Sequence, residues 1–527
     1  MSAHTPLAFV SYETPFAPCG GIAAVMDRLP RALARLWPGP VAVITPLHHR
    51  TAGGRSLRAG GELEPRGRLV VGPDSISLKL LHLRRQGVDW YFLAPDHPDF
   101  FAGNPHPYRV PQPRLLRDAL LMGTALPRVL ELILPGVAWS LLLQDWQGAC
   151  GALALAGSGH RVFLTLHNSY DCAAGDQDLA GLGLDPGLSG GDTVLQRALP
   201  LVGDPVFTVS AQFARDLTGQ VLQSRIMAPH LQGLLAGRLL GVDNGLFTDP
   251  ALPPFLARGL KAGGYQELWQ WKDRRRREFS QVARGLGGEG WGRAPDRQWR
   301  DDPWFIMAGR DDPRQKGFDV AALAARRFLQ EGGAGRFLFF PIPGEEGRAG
   351  LEFLHRLARD FPSRVLVIPF LFKEGFTSAL QGASFGLMPS FYEPFGMANE
   401  FYLNGTLGIA RATGGLCQQI IPLGRRGSGL LFLEDARVSG DEEQWRALNR
   451  AGYAPAGGGP DRLEERSRYP LFRAMAHQLC RRLYLGVELY RRYPALYARL
   501  LGRGVEHLTA NFSWEKAARA YRRHLQG

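Results

Sequence analysis

The chain has 527 residues, of which 45% are hydrophobic and 21% are charged. This composition is globular and excludes a disordered chain, and the length predicts two domains of about 200–270 residues. The net charge of +13 would suit nucleic acid, an anionic membrane or an anionic small molecule. No nucleic-acid-binding module is visible, so we do not expect a nucleic-acid partner.

The cysteines and the apolar segments indicate a compartment. None of the five cysteines has the spacing of a zinc site or a disulfide framework, and a reducing, cytoplasmic setting is predicted. They are Cys19, Cys150, Cys172, Cys417 and Cys480. The N-terminus does not resemble a signal peptide. The most apolar run, Val129–Leu143, contains Glu131 and Pro135 and is too short to cross a bilayer, so we expect no membrane partner.

In the first half of the chain, short apolar segments alternate with helical ones. Strands are predicted at Leu7–Ser11, Val41–Thr45, Ser140–Leu143, Val162–Leu166 and Val206–Ser210. A helix with a bend at Pro30 is predicted at Ile22–Leu36. Such alternation is typical of a parallel, doubly wound sheet.

A second alternating set follows a polar stretch from Asp249 to Asp302. Its predicted strands are Trp304–Ala308, Phe337–Pro341, Val365–Pro369, Phe385–Met388, Gly408–Ala410 and Leu430–Phe432. In the polar stretch, we interpret Arg274–Arg277 as a solvated helix face, with a nucleic-acid patch as the alternative. The segment Ala436–Arg468, which contains Gly457–Pro460, is predicted to be a loop-like insertion.

The most informative stretch, Met388–Leu416, reads MPSFYEPFGMANEFYLNGTLGIARATGGL. A strand ends, a turn at Glu393–Gly396 leads into a helix carrying Glu400, and a short strand precedes a second glycine loop. Such a turn presents backbone amides and a positive helix end to an anion. The stretch resembles the donor-sugar loop of retaining GT-B glycosyltransferases and is most similar to bacterial glycogen and starch synthases. Their counterpart reads roughly PS-x-x-EP-x-G, then GT and RRTGGL.

The resemblance implies an α/β fold of the GT-B type, with two doubly wound parallel-sheet (Rossmann-like) domains facing a cleft. It implies an N-terminal acceptor-side domain at residues 1–250 and a C-terminal nucleotide-sugar-binding domain at 251–505. The end of the chain, Phe512–Tyr521, resembles the FSWE-x-x-A-x-x-Y ending of glycogen synthases. A terminal helix at 506–527 is therefore expected to pack back on the first domain.

The loop Met307–Gly317 resembles the SRL-x-x-QKG loop of that family. The resemblance implies that Arg310 and Lys316 hold the donor diphosphate and stabilise the departing nucleotide where other transferases use a metal. The loop is one residue longer than the family pattern, so Arg314 is a rival for either role. An ordinary exposed basic loop is the alternative.

The donor loop supplies further candidates by resemblance. Glu393 matches the glutamate that binds the sugar hydroxyls and stabilises positive charge at the anomeric carbon. Glu400 is either the ribose-facing second glutamate or a surface residue, because the helix is one residue shorter than in glycogen synthases. The remaining predicted donor contacts are Gly396, Met397, Thr413, Gly414 and Gly415.

Further candidates lie in the first half. The segment Gln144–Trp146 resembles the family's HDW, and Thr165–Asn168 resembles its T-x-HN, whose histidine reaches the hexose. Asp145 and His167 would then line the cleft with Glu393 as catalytic residues. Asn244, in a segment that resembles GI-x-NG-x-D, is a further pocket candidate, with a simple turn as its alternative.

The N-terminal glycines resemble a signature but lack its charges. The segment that contains Gly20 and Gly21 is similar to KTGGL-x-DV, whose glycines let the backbone approach a phosphate. Its lysine is Pro18 here, and its aspartate is Ala24. Losing the lysine would remove a phosphate contact of about 1–3 kcal/mol.

The resemblance as a whole implies transfer of glucose from a nucleotide diphosphate sugar, ADP-glucose by family expectation, to an α-1,4-glucan, without a cofactor. Two alternatives remain open. One is a GT-B transferase with a changed donor or acceptor, as Pro18 and Ala24 would allow. The other is a glucan-binding or regulatory relative with little turnover.

Overall fold

A computed structural model describes residues 5–60, 63–296, 299, 301–344, 346–452 and 461–526. The chain forms two compact units. The first consists of Met1–Thr218, Met227–Gly245 and Phe512–Gly527, and the second of Gly219–Ile226 and Leu246–Asn511. The chain therefore passes between the units after Thr218, Ile226, Gly245 and Asn511. The domain boundaries at residues 250 and 505 stay a prediction.

The described part of the first unit contains a nine-stranded sheet in the order β3-β4-β5-β2-β1-β6-β7-β8-β9. Its strands are β1 (Leu7–Val10), β2 (Val41–Pro46), β3 (Glu64–Val71), β4 (Ile76–Arg85), β5 (Val88–Pro95), β6 (Ser140–Gln144), β7 (Arg161–Leu166), β8 (Val206–Thr208) and β9 (Leu239–Gly241). The β3–β4 and β4–β5 pairs are antiparallel. The other neighbouring strands pair in parallel.

The helices of the first unit cover this sheet. They are α1 (Gly21–Ala34), α2 (Ala52–Ala59), α3 (Gln112–Ile133), α4 (Asp145–Leu155), α5 (Asp176–Ala180), α6 (Val194–Ala198), α7 (Ala211–Gly219), α8 (Gln232–Leu235) and the C-terminal helix Trp514–Gln526. In α1 the buried residues Val25, Met26, Leu29 and Leu33 recur at helical spacing, which makes one face apolar. The C-terminal helix packs on α1, and its Tyr521 ring lies 4.7 Å from that of Phe207. The helix that includes residue 506 ends at Asn511 in the second unit.

The second unit contains, among its described residues, a seven-stranded sheet in the order β10-β13-β12-β11-β14-β15-β16. The strands are β10 (Trp291–Gly292), β11 (Trp304–Arg310), β12 (Arg336–Ile342), β13 (Val365–Val367), β14 (Phe385–Met388), β15 (Leu407–Arg411) and β16 (Leu430–Phe432). Only β10 pairs antiparallel within the described residues, at one edge. The predicted α/β fold with two mainly parallel sheets is confirmed.

The second unit's helices, in chain order, are α9 (Pro254–Ala262), α10 (Gln266–Arg284), α11 (Phe318–Gln330), α12 (Glu352–Asp360), α13 (Phe376–Gly382), α14 (Ala398–Leu403), α15 (Leu416–Gln419), α16 (Ala436–Ser439), α17 (Glu442–Arg450), α18 (Arg462–Arg466), α19 (Pro470–Arg492) and α20 (Pro494–Asn511). The C-terminal helix of the first unit, Trp514–Gln526, is α21. Shorter helical turns occur at Pro186–Leu188, Leu199–Leu201, Leu222–Met227, Pro229–Leu231 and Ala349–Leu351.

The arginine run in α10 was predicted to be a solvated helix face, and this prediction is wrong in part. Arg276 is buried and donates hydrogen bonds to the carbonyl oxygen of Gly382 at 2.9 Å and to Ser384 Oγ at 3.0 Å. Its guanidinium also lies 4.8 Å from the ring centre of Trp304. Arg277 is exposed and pairs with Asp273 one turn away, so one arginine of the run is structural while another faces water.

The predicted loop-like insertion is wrong in part, because α16, α17 and α18 lie within it. Residues 453–460, which include the predicted Gly457–Pro460 segment, lie outside the described residues. The insertion carries buried charges: Arg462 donates to Asp311 Oδ1 at 2.7 Å, and Arg466 donates to Asp319 Oδ2 at 2.8 Å. It therefore packs into the second unit through ion pairs, which the polar sequence had concealed.

All five cysteines are free thiols, and the cytoplasmic location inferred from them stays a prediction. Within the described ranges, no helix combines the length and apolar character needed to span a membrane.

Candidate functional site

Two neighbouring strands of the second unit bring Lys316 to Glu393. β11 pairs in parallel with β14, so the loops after these strands leave the same edge of the sheet. Lys316 Nζ lies 3.0 Å from Glu393 Oε1 and 2.9 Å from Oε2. Ser390 Oγ donates a third hydrogen bond to Glu393 Oε2, at 2.9 Å. The predicted diphosphate cation and the predicted sugar-binding carboxylate therefore form one ion pair.

The backbones of these two loops are in direct contact. The amide of Phe391 donates to the carbonyl oxygen of Gln315 at 2.8 Å. At Gly317, which has φ +71°, an added Cβ would lie 2.4 Å from the carbonyl oxygen of Pro389. A side chain at this position would push the loops apart, so the glycine is required by the close approach.

The second glycine loop, Gly414 and Gly415, contacts the backbone of Glu393. The amide of Gly415 donates to the Glu393 carbonyl oxygen at 3.0 Å. Gly414 has φ +50°, and an added Cβ there would lie 1.7 Å from that same oxygen. Gly414 and Gly415 thus position the donor loop, and the Gly415 amide already has a protein acceptor.

Gly396, Met397 and Thr413 belong to the same local structure. Gly396 has φ +96°, and its carbonyl oxygen accepts from Asn399 Nδ2 at 3.1 Å. Met397 caps α14, a helix of only 6 residues, so the positive end predicted after Gly396 is that of a short helix. Thr413 is buried, and its Oγ1 accepts from Gln220 Nε2 at 3.4 Å.

Glu400 interacts electrostatically with the same pair. Burial raises the pKa of Glu400 to about 7, while Lys316 lowers it and Glu393 raises it. Its carboxyl group therefore belongs to the Lys316–Glu393 cluster. Glu400 is half-buried, and the choice between the two predicted alternatives stays open.

Two further predicted or rival cations lie in the loop after β11. Arg310 is exposed at the end of that strand. Arg314 is half-buried, and its amide donates to Asp312 Oδ1 at 2.9 Å. The aspartate between them in sequence, Asp311, is buried against Arg462, which ties this loop to the insertion.

In the first unit, Asp145 and His167 lie at the ends of adjacent parallel strands, β6 and β7. Asp145 Oδ1 accepts from the His167 amide at 2.6 Å, and Oδ2 accepts from Asn168 Nδ2 at 2.9 Å. Asp145 has φ +52°, a left-handed conformation that is uncommon outside glycine and often found at functional sites. Burial raises the pKa of Asp145 to about 7.

The His167 ring contacts the residue before Asp145. Its Nε2 lies 2.8 Å from Gln144 Oε1, and Gln144 Nε2 donates to the carbonyl oxygen of Leu142 at 2.9 Å. Burial lowers the pKa of His167 to about 3, so the ring is neutral at physiological pH.

Asn244 is buried, and its Oδ1 has no hydrogen-bond donor within the described part of the chain. Its amide donates to the carbonyl oxygen of Val209 at 3.1 Å. Since buried polar atoms are nearly always paired, an unpaired acceptor of this kind is consistent with a ligand contact. The pocket role of Asn244 and the simple-turn alternative both stay predictions.

The N-terminal glycine loop holds a carboxylate of the chain itself. Glu13 Oε1 accepts from the amides of Cys19 at 2.9 Å and Ala23 at 3.2 Å, and also from the amide of Gly20. Gly20 and Gly21 are both exposed, but the Gly20 amide, predicted to face a phosphate, is directed to Glu13. Sequence analysis missed Glu13, although an acidic residue between a strand and a Gly-Gly helix start was a usable signal.

No group of three or more His, Cys, Asp or Glu side chains within the described ranges is arranged to hold a metal ion.

The chain is similar to known proteins along most of its length. The family described as "Starch synthase catalytic domain" matches residues 6–235, and "Family 4 Glycosyltransferase in conflict systems" matches residues 266–400. The glycogen synthase of Anaeromyxobacter dehalogenans (strain 2CP-C) is 29% identical over 498 residues, which cover 85% of this chain and 95% of that protein. The glycogen synthase of Koribacter versatilis is 27% identical over 508 residues, with coverage of 85% and 94%.

Solved structures share the fold. The catalytic domain of starch synthase IV from Arabidopsis thaliana, bound to ADP and acarbose, superposes with a TM-score of 0.71 at 20% identity, over 100% of this chain and 99% of that chain. The sucrose-phosphate synthase of Thermosynechococcus elongatus gives a TM-score of 0.54 at 18% identity, over 99% and 100%. The chain is a glycogen/starch synthase-like glycosyltransferase. The predicted GT-B fold is likewise confirmed.

In this glycosyltransferase, each unit brings together part of the predicted site. The second unit assembles Lys316, Glu393 and Glu400, with Gly414 and Gly415 beneath. The first unit assembles Asp145 and His167, through Gln144 and Asn168. The contacts of Glu13, Gln144 and Ser390 were not predicted, although Glu13 precedes the Gly-Gly helix start and Ser390 lies in the same motif as Glu393.

Proposed function

We propose that the chain transfers glucose from ADP-glucose to the 4-hydroxyl of an α-1,4-glucan with retention of the anomeric configuration. The observation that carries this proposal is the contact of Lys316 with Glu393 at the ends of adjacent strands. A cation for the leaving diphosphate and a carboxylate for the sugar are held within one ion pair. Retaining transfer from a sugar nucleotide needs these two charges close to the bond that breaks.

In the proposed reaction, the bond between the anomeric carbon and the phosphate oxygen breaks and the diphosphate leaves with both electrons. The acceptor hydroxyl forms the new bond on the same face, and its proton passes to the departing phosphate oxygen. Lys316 and Arg310 stabilise the negative charge that develops on the diphosphate. Glu393 binds the sugar hydroxyls and stabilises the positive charge at the anomeric carbon.

The first unit contributes Asp145, His167 and Asn244 to sugar binding in this proposal. Asn244 Oδ1 offers an unused acceptor within the described residues, and the neutral His167 ring offers a polar nitrogen without a charge. Glu13 fills the amides at Gly20, so we assign the two N-terminal glycines to shaping the loop and place the diphosphate contacts on Lys316 and Arg310.

A changed donor or acceptor is the second candidate function, and a specific observation favours it. Pro18 and Ala24 replace the charged residues of the signature that the N-terminal loop resembles, and Glu13 occupies its amides. The N-terminal loop therefore lacks both the lysine and the aspartate that the signature would offer to a ligand.

A sugar-nucleotide panel tests both functions. The purified chain is incubated with ADP-, UDP- and GDP-linked sugars, with and without glycogen, and nucleotide release is measured. ADP release from ADP-glucose that depends on glycogen supports the first proposal. Release only from another donor supports the second. Glucan binding without release from any donor would refute both and indicate a binding protein.

The site assignment is tested in parallel by Lys316→Met and Glu393→Gln, each of which should reduce release by more than about 100-fold. The matched control is Lys261→Met, because Lys261 forms an exposed ion pair with Glu506 in the same unit, at 2.8 Å. The control should keep full activity. Full activity in Glu393→Gln would refute the role of Glu393, and a β-linked product would refute retention.

A further inference from the structure

The contact between Gln144 and His167 determines which ring nitrogen carries the proton. Gln144 ends β6, and His167 follows the adjacent strand β7. The His167 Nε2 atom lies 2.8 Å from Gln144 Oε1. Gln144 replaces the histidine of the HDW segment that this stretch resembles, so the contact is a feature of this chain's own sequence.

The orientation of the Gln144 amide is set by a second hydrogen bond. Its Nε2 donates to the carbonyl oxygen of Leu142 at 2.9 Å. The reversed amide would point two acceptor oxygens at each other, so Oε1 is the atom that faces the histidine. An amide oxygen can only accept, and His167 Nε2 must therefore be the protonated nitrogen.

The other ring nitrogen is left as an acceptor. Burial keeps the ring neutral by lowering the pKa of His167 to about 3, so Nδ1 carries a lone pair. In the part of the chain that the structure describes, Nδ1 has no hydrogen-bond partner. Nδ1 of His48 is also unpaired within the described residues, but that atom is fully buried, whereas Nδ1 of His167 is not.

Two carboxylates of the first unit, Asp145 and Glu13, interact with other atoms. Asp145 bonds the backbone amide of His167 and the side chain of Asn168, and Glu13 bonds the amides at the start of α1. Neither carboxylate bonds a ring nitrogen of His167. The neutral Gln144 is therefore the group that determines the tautomer.

We propose that Gln144 is a positioning residue that holds His167 in its Nε2–H tautomer, so that Nδ1 accepts a hydrogen bond from one hydroxyl of the transferred sugar. The sugar contact rests on the function proposed above, whereas the tautomer does not. A histidine in place of Gln144 could either donate or accept, and would leave the tautomer open. With glutamine at this position, Nδ1 can only accept a hydrogen bond, and the sugar hydroxyl must be the donor.

The tautomer is tested by NMR of the histidine ring nitrogens in the full chain. The sequence has 13 histidines, and His167→Asn assigns the signal by its loss. We expect Nε2 protonated and Nδ1 unprotonated in the unaltered protein from about pH 5 to about pH 9. A protonated Nδ1 with an unprotonated Nε2 would overturn the proposal.

Variants at residue 144 separate tautomer control from packing. Gln144→Leu should produce a mixture of tautomers, and Gln144→Glu should raise the pKa of His167, so that Nδ1 gains a proton as the pH falls. The control is Gln232→Leu, which removes another amide of the first unit that bonds the carbonyl oxygens of Leu217 and Ala228. An unchanged tautomer in Gln144→Leu would contradict the role of Gln144, whatever happens to activity.

The sugar contact is tested with donors in which each hydroxyl in turn is replaced by fluorine, which accepts but cannot donate. For one position, the unaltered protein should lose about 3- to 10-fold in kcat/KM, the effect of one neutral hydrogen bond. The loss at that position should disappear in His167→Ala. If no position behaves in this way while the expected tautomer is observed, the sugar contact is wrong and the tautomer assignment stands. If no sugar nucleotide turns over at all, the proposed function fails and the NMR result alone decides the tautomer.

Discussion

Replacing Lys316 should cost more stability than replacing Glu393, although the two residues form one ion pair. The side chains are 18% and 7% exposed, so the pair lies between a surface ion pair, at about 0–1 kcal/mol, and a fully buried one, whose breakage costs about 3–5 kcal/mol. The asymmetry comes from Glu400, whose pKa is raised by Glu393 and lowered by Lys316. Glu400 is the third charge of the cluster and responds oppositely to the two changes.

In Lys316→Met, Glu393 and Glu400 lose the cation with which both interact, and we expect a loss of about 2–3 kcal/mol in the free energy of unfolding at pH 8. At about pH 5, Glu400 is protonated and the repulsion is relieved, so the loss should be smaller. In Glu393→Gln, Lys316 still interacts with Glu400, and the loss should be about 1 kcal/mol. The coupling energy from the double variant should be about 1–2 kcal/mol.

Urea titration of the three variants at pH 5 and pH 8 measures these values. Lys261→Met serves as the control, since its ion pair with Glu506 is exposed on both sides and its loss should be close to zero. An equal cost for the two single variants at pH 8 would refute the argument. A cost of Lys316→Met that does not change with pH would remove Glu400 from the cluster.

Three more predictions concern the second unit. Burial raises the pKa of Glu400 from 4.5 in the unfolded chain to about 7 in the folded one. The charged carboxylate therefore destabilises the fold by an amount that is absent below about pH 4.5 and grows as the pH rises to about 7. Glu400→Gln should increase the free energy of unfolding in urea by up to about 3 kcal/mol at pH 8 and leave it unchanged at pH 4. Gly414→Ala should lower the free energy of unfolding by about 1–3 kcal/mol more than Gly287→Ala. Both glycines have a positive φ, but only a Cβ at residue 414 would meet backbone, 1.7 Å from the carbonyl oxygen of Glu393. Equal melting temperatures of the two variants would contradict this. Arg466→Met should lower the free energy of unfolding by about 2–4 kcal/mol, because Asp319 is 1% exposed and loses an ion-pair partner at 2.8 Å. The control is Arg437→Met, at a side chain that is 93% exposed, and it should leave the unfolding curve unchanged.

Much of the fold follows from local patterns. The strands predicted at Val41–Thr45, Phe385–Met388 and Leu430–Phe432 are present, because buried strands of a parallel sheet are short apolar runs. The hairpins of β3, β4 and β5 were not predicted as strands. In β4, buried Leu78 and Leu80 alternate with Ser77 and Lys79, a pattern that marks a half-buried strand and was available in the sequence.

The site was predictable where a motif is contiguous and was missed where partners are distant. The turn at Glu393 and the glycines at 414 and 415 stand in one segment, so the sequence alone predicted that they belong to one site. The carboxylate that fills the N-terminal amides, Glu13, lies outside the glycine signature. Likewise, Arg276 was interpreted as solvated. Helical spacing shows which residues lie on the same helix face as Arg276, but not which elements pack against that face.

The sequence by itself determined the alternation of strands and helices, the donor-loop turn and the placement of glycines where the backbone needs positive φ, because these depend on neighbours within a few residues. The tertiary structure decided which charges meet. Lys316 and Glu393 are 77 positions apart, and Arg462 and Asp311 are 151 apart. These pairs exist because parallel pairing of β11 with β14, and folding of the insertion into short helices, bring their side chains together. The pairing of Gln144 with His167 likewise depends on the adjacency of β6 and β7, which no local pattern reveals.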